Sequence, residues 1–124
     1  MRNGQTSISL ITAYYNEELL LSRCLESVAN QSFKNFELIL IDDGSTDNSL
    51  EIVKKYQHKF KYLKQITIDN SGLAEARNIG LQNATGAYVT FLDADDTIAP
   101  DMMLEFNTRI ETQAADLIIS DFKS

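Results

Sequence analysis

The sequence predicts an α/β domain: a three-layer α/β/α sandwich around a mostly parallel sheet. Two observations predict it. Short apolar, β-branched runs alternate with longer stretches whose apolar residues recur at helical spacing, and each of the first four runs ends in a polar or acidic loop. Helices of about a dozen residues between strands imply right-handed crossovers and a sheet covered on both faces.

In chain order, residues 7–13 form a continuous apolar run, the pattern of a buried strand. Leu20, Leu21, Cys24, Leu25 and Val28 then mark a helix over 17–30. Residues 36–41 form a second buried strand ending at Asp42-Asp43-Gly44. Ser45 or Thr46 can cap a helix running through Tyr56, with Leu50, Ile52 and Val53 facing inward. A third strand covers 62–68, and a third helix covers 71–83 with Leu73, Ala76 and Leu81 as its apolar side. Gly86 begins the fourth strand. Pro100 sits in the first turn of a fourth helix through about Thr112, and 117–120 gives a fifth strand.

In a parallel sheet all strands point one way, so loops after consecutive strands share one edge. The clusters at Tyr15-Asn16-Glu17, at 42–45, at 69–72 and at 93–96 are therefore neighbours. The last follows the run Tyr88-Val-Thr-Phe-Leu92 and reads Asp-Ala-Asp-Asp. Asp93 and Asp95 flank one small residue, so both side chains can leave the strand end on the same side. Two converging carboxylates suit Mg²⁺ or Mn²⁺, hard cations that keep positions open for substrate phosphates. This points to chemistry on a nucleotide diphosphate.

The other clusters each carry two readings. Asp42 and Asp43 serve turn chemistry and helix capping, or one of them accepts a hydrogen bond from a base N–H, with Gly44 allowing close approach. Arg77 is a surface ion-pair partner, or it points into the pocket and balances the carboxylates. Tyr15 is a core aromatic or a platform for a flat base, and Glu17 favours a helix N-terminus or joins the site. His58 lies among Lys54, Lys55, Lys59 and Lys61 without a second histidine or a nearby cysteine, the pattern of a solvated face.

The 124 residues suffice for one domain, or part of one, with 44% hydrophobic and 23% charged side chains. Eighteen acidic against 11 basic residues give a net charge of −7, which argues against duplex nucleic acid or an anionic membrane surface as the main partner. An acidic substrate must then be met by a local cation. Cys24 is the only cysteine, so no intrachain disulfide forms, and a reducing compartment fits. No apolar run reaches the roughly 20 residues of a membrane span. Gly-x-Gly-x-x-Gly and Gly-x-x-x-x-Gly-Lys-Ser/Thr are both absent, leaving a metal-held diphosphate. The loop at 13–18 is neither glycine-rich nor basic, which disfavours a nucleotidyltransferase.

Four stretches carry a family resemblance: 9–18 (Ser-Leu-Ile-Thr-Ala-Tyr-Tyr-Asn-Glu-Glu), 30–47 with its Ile-Asp-Asp-Gly-Ser-Thr-Asp ending, 70–80 (Asn-Ser-Gly-Leu-Ala-Glu-Ala-Arg-Asn-Ile-Gly) and 86–96. In this order, over nearly the whole chain, they resemble the inverting family-2 glycosyltransferases of the glycosyltransferase type A fold. Ala13 stands where the family usually has proline, two residues before Tyr15.

The resemblance implies that 1–124 is the Rossmann-like nucleotide-binding half of that fold. It implies transfer of a sugar from a nucleotide-diphosphate donor, typically a UDP-sugar, to the hydroxyl of a glycan or lipid-linked acceptor. The implied cofactor is Mn²⁺ or Mg²⁺, and the implied setting is the cytoplasm or the inner face of the membrane. The nucleotide-binding set it implies is Ala13, Tyr15, Glu17, Asp42, Asp43, Gly72, Arg77, Asp93 and Ala94, with Asp93 and Asp95 as metal ligands. In the family the general base is a carboxylate in the second half of the domain, and no residue here matches it; nothing assigns the role to Asp116 or Asp121. The chain is therefore expected to be a donor-binding fragment with little transferase activity, prone to self-association through uncovered apolar surface.

Overall fold

The computed structural model describes residues 7–113 and 119–122. Among these, strands β1 (Ile8–Tyr14), β2 (Glu37–Asp42), β3 (Leu63–Thr67), β4 (Tyr88–Leu92) and β5 (Ile119–Phe122) form one sheet in the order β3-β2-β1-β4-β5. All four neighbouring pairs are parallel. Helices α1 (Leu21–Ala29), α2 (Ser49–Tyr56), α3 (Leu73–Asn83) and α4 (Met102–Gln113) connect them, with a 3-10 turn at Gln57–Lys59 after α2. This is the predicted α/β class.

The two central strands explain the continuous apolar runs, since every residue of β1 and β2 is buried. Alternate residues serve two cores. Ile8, Leu10, Tyr14, Leu38 and Leu40 pack against Leu21, Cys24 and Leu25 of α1, Val53 of α2, and Met103 and Phe106 of α4. Ile11, Ala13, Ile39 and Ile41 face Ala76 of α3 on the other side. Each such fully buried Leu or Ile contributes roughly 1.5–3 kcal/mol. The α3 face differs from the expected one, because Leu73 and Leu81 are exposed while Ala76 and Gly80 are buried. Small residues bring α3 close to β1. A Cβ on Gly80 would lie 2.6 Å from Ile11 Cγ2.

Several element starts fall later than their local patterns suggest. The first helix begins at Leu21 rather than 17, after a turn closed by the Leu20 and Leu21 amides on the Glu17 carbonyl. The second begins at Ser49, and neither Ser45 nor Thr46 caps it: Ser45 Oγ instead accepts the Asn16 amide, and the Ser49 amide donates to Asp47 Oδ1. The fourth begins at Met102, where Pro100 lies in the preceding turn and its carbonyl accepts the Ser32 amide. Gly86 precedes β4, its amide turned onto Ser9 Oγ. The fifth strand runs Ile119–Phe122, and Asp116 and Leu117 lie outside the described residues.

Candidate functional site

Between β1 and β4 the strand order reverses direction, the point at which open parallel sheets form a crevice beyond their carboxyl ends. A cavity of about 230 Å³ lies there, lined by Ala13, Tyr14, Glu17, Leu73, Arg77, Asp93, Ala94 and Asp95. Its lining comes from the end of β1 and the loop after it, from α3 and from the loop after β4.

The first loop leaves β1 at Tyr14 and turns sharply at Asn16, which adopts φ +51°. That conformation is tolerated because the loop is clasped to the loop after β2. The Asn16 amide donates to Ser45 Oγ at 2.9 Å, the Glu17 amide to Ser49 Oγ at 2.9 Å and the Glu18 amide to Asp47 Oδ2 at 3.1 Å. In return Asn16 Oδ1 accepts the Thr46 amide at 2.7 Å. Glu17 is thereby held at the cavity wall, and Tyr15 projects outward, 39% exposed.

The second loop is pinned by its own carboxylates. Asp42 Oδ1 accepts the Ser45 amide at 2.8 Å. Asp43 is 1% exposed and reaches the third loop, Oδ1 accepting the Ser71 amide at 2.8 Å and Oδ2 the Gly72 amide at 2.9 Å. Gly44, at φ +78°, lets the two backbones meet; a Cβ there would lie 2.9 Å from the Asn70 nitrogen. Gly72 enters α3 with φ +98°. Asp43 thus fixes the start of the helix that carries Arg77.

Arg77 Nη2 lies 2.7 Å from Asp93 Oδ1, with the two side chains 43% and 36% exposed. Asp93, Asp95 and Asp96 each offer a carboxylate oxygen, all within 4.8 Å of one another. The loop is closed by the Asp96 amide on the Asp93 carbonyl at 3.0 Å. Two neighbours register the negative charge gathered here. Burial first, then Asp95 and Asp47, raise the Glu17 carboxyl above its ordinary range. Burial first, then Asp96, Asp95 and Asp93, push the Cys24 thiol up to about 12, so it stays protonated and inert. Three mutually close oxygen ligands fit a hard divalent cation.

The cavity therefore gathers Ala13, Glu17, Arg77, Asp93, Ala94 and Asp95 from the sequence-derived set. Tyr15 lies on the loop beside it, while Asp42, Asp43 and Gly72 stand behind it as loop anchors. Tyr14, Leu73 and Asp96 were not singled out by sequence reasoning. Tyr14 belongs to the core pattern of β1, and its hydroxyl accepts from Gln65 Nε2 at 3.0 Å. Leu73 reads as an ordinary apolar helix position. Asp96 adjoins the Asp-x-Asp pair and could have been included with it.

A match to the family model for glycosyl transferase family 2 extends over residues 9–123. The chain belongs to glycosyl transferase family 2. It is 53% identical over 97 residues to an uncharacterized glycosyltransferase of Haemophilus influenzae, covering 77% of this chain and 39% of that protein. It resembles the crystal structure of S. aureus TarS 1-349 in complex with UDP-GlcNAc with a TM-score of 0.85 and 36% identity, over 90% of this chain and 33% of that one. A mannosyltransferase from Pyrobaculum calidifontis, in complex with GDP-Man and Mn²⁺, gives a TM-score of 0.68 at 26% identity, over 75% of this chain and 28% of that one. The family-2 chain thus spans well under half the length of these relatives. No helix among its described residues is long and apolar enough to cross a membrane.

Proposed function

We propose that this chain is the nucleotide-sugar-binding part of an inverting glycosyltransferase that moves a sugar from a nucleotide-diphosphate donor, a UDP-sugar, to an acceptor hydroxyl on a glycan or lipid-linked sugar. The observation that carries this proposal is the cavity at the strand-order reversal, lined by Asp93 and Asp95 with Asp96 alongside and by Arg77 paired to Asp93. The ligands of the two structural relatives, a UDP-sugar in one and a GDP-sugar with Mn²⁺ in the other, support a nucleotide-sugar donor.

Each side chain then has a task. Ala13 and Ala94 keep the cavity floor open, and Tyr15 offers a ring for stacking on the base. Asp43 or Asp42, whose carboxylates also anchor the loops behind the cavity, would meet the base N–H with a remaining lone pair. Glu17 borders the nucleoside. Gly72 sets the entry of α3, whose Arg77 supplies a forked donor matched to phosphate oxygens. Asp93 and Asp95 would hold Mn²⁺ or Mg²⁺, with Asp96 alongside. Such a cation, when bound, stabilises the diphosphate leaving group as a Lewis acid.

Calorimetry with UDP, with and without Mn²⁺, tests the proposal. Binding that requires Mn²⁺ and is lost in Asp95→Ala is the expected result. No binding to the wild-type chain at millimolar UDP and Mn²⁺ would reduce it to a structural remnant of the fold.

A further inference from the structure

The cavity holds an internal competition. Glu17, Asp93 and Asp95 line it with Asp96 beside them, and Arg77 is its one cationic lining residue among the described residues. That cation is already engaged, 2.7 Å from Asp93 Oδ1. The carboxylate it engages is also one of the three whose oxygens lie within 4.8 Å of one another. A divalent cation gathered by those oxygens must share Asp93 with a guanidinium and sit close to its positive charge. A nucleotide diphosphate meets the opposite problem, because the carboxylates repel it unless a cation screens them.

Arg77 is placed to respond to both. Its helix is fixed, with Ala76 buried and Gly80 set against Ile11, yet its side chain is 43% exposed and has room to turn. A guanidinium carries five donors, so it can exchange a carboxylate for a diphosphate without losing partners.

We propose that Arg77 couples the two ligands: its ion pair with Asp93 opposes binding of a divalent cation alone, and a nucleotide diphosphate relieves that opposition by drawing the guanidinium to its phosphate oxygens. Cation and nucleotide then bind with positive cooperativity, and each strengthens the other by the same factor. This rests on the cavity being a diphosphate and cation site. It assigns Arg77 a role opposite to that of a simple positioning residue, whose removal would disorder Asp93 and weaken cation binding.

The two roles separate in a measurement of Mn²⁺ binding to the full chain, read from the electron paramagnetic resonance signal of free Mn²⁺ with and without UDP. Arg77→Gln keeps a good helix former at a half-exposed site, and circular dichroism verifies its fold. The expected result is several-fold tighter Mn²⁺ binding without UDP, the scale of freeing Asp93 from one partly exposed ion pair. UDP should bind more weakly, and its enhancement of Mn²⁺ affinity should shrink. In an Asp93→Asn background the same substitution should change Mn²⁺ affinity little, because the ion pair is already broken. Equal or weaker Mn²⁺ binding by Arg77→Gln, or an undiminished gain in the Asp93→Asn background, overturns the coupling. Absence of Mn²⁺ binding by the wild-type chain even with UDP overturns the reading of the cavity itself.

Discussion

The two ends of the sheet treat carboxylates in opposite ways. At the amino-terminal edge, Glu37 opens β2 and is 6% exposed. Its Oε2 accepts Ser9 Oγ at 2.6 Å, the Thr85 amide at 3.0 Å and Thr85 Oγ1 at 3.1 Å, and Lys64 Nζ lies 3.1 Å from Oε1. At the carboxyl-terminal edge, Asp93, Asp95 and Asp96 crowd within reach of one another beside Arg77, the one cationic residue among the described residues that line the cavity. One carboxylate is surrounded by donors and staples β1, β2, β3 and the turn before β4. The other group converges on solvent-accessible space. The difference separates a charge that holds the fold from charges available to a ligand.

The largest effect should come from the stapled end. Glu37→Ala removes the acceptor of three buried or half-buried donors and is expected to destabilise by about 2–3 kcal/mol in urea unfolding. Acid should act on the two ends with opposite sign. Burial pushes the Glu37 carboxyl up, but the bonds from Ser9, Thr85 and Lys64 outweigh it and hold the group below its ordinary 4.5. The unfolded chain then binds this proton more readily, so the Glu37 contribution is complete above pH 4.5 and is lost as pH falls through the lower folded value. Glu17 is raised above 4.5, so its charge opposes folding at neutral pH and protonation relieves that strain. Stability measured across the acid range should fall less steeply for Glu37→Gln and more steeply for Glu17→Gln than for wild type.

Between the two ends, Thr12 Oγ1 is a buried oxygen in β1 with no hydrogen-bond partner among the described residues. Thr12→Val replaces it by a methyl of similar shape and should stabilise by about 1 kcal/mol in the same assay. The smallest effect belongs to the ligand end. Asp95→Asn, at an exposed position among like charges, should leave the unliganded protein unchanged or more stable by up to about 0.5 kcal/mol.

Most of the architecture was legible because β1 and β2 are buried along their whole length, which makes their apolar runs unbroken, and because long connections enforce parallel pairing. The helix starts were not. Ser45 and Thr46 look locally like capping residues, but the Ser45 hydroxyl and the Thr46 amide are taken by Asn16, about thirty positions earlier. The α3 face was misjudged because a helix packed through Ala76 and Gly80 carries its inward side on the smallest residues rather than the largest. In the site, the Asp93 and Asp95 pair was visible as a motif, and the pairing of Arg77 with an aspartate was foreseen, although not which aspartate. The Asp43 clamp on Ser71 and Gly72 and the Glu37 cluster join segments 27 or more positions apart, so no local pattern announces them.

Thermal unfolding of wild type, Glu37→Gln and Asp95→Asn, each with and without UDP plus Mn²⁺, tests most directly whether one end holds the fold and the other holds a ligand. The account predicts that Glu37→Gln melts lower than wild type but keeps the full ligand-induced rise, whereas Asp95→Asn melts at or above wild type without ligand and shows no rise with it. A ligand-induced rise retained by Asp95→Asn, or lost in Glu37→Gln, would contradict it.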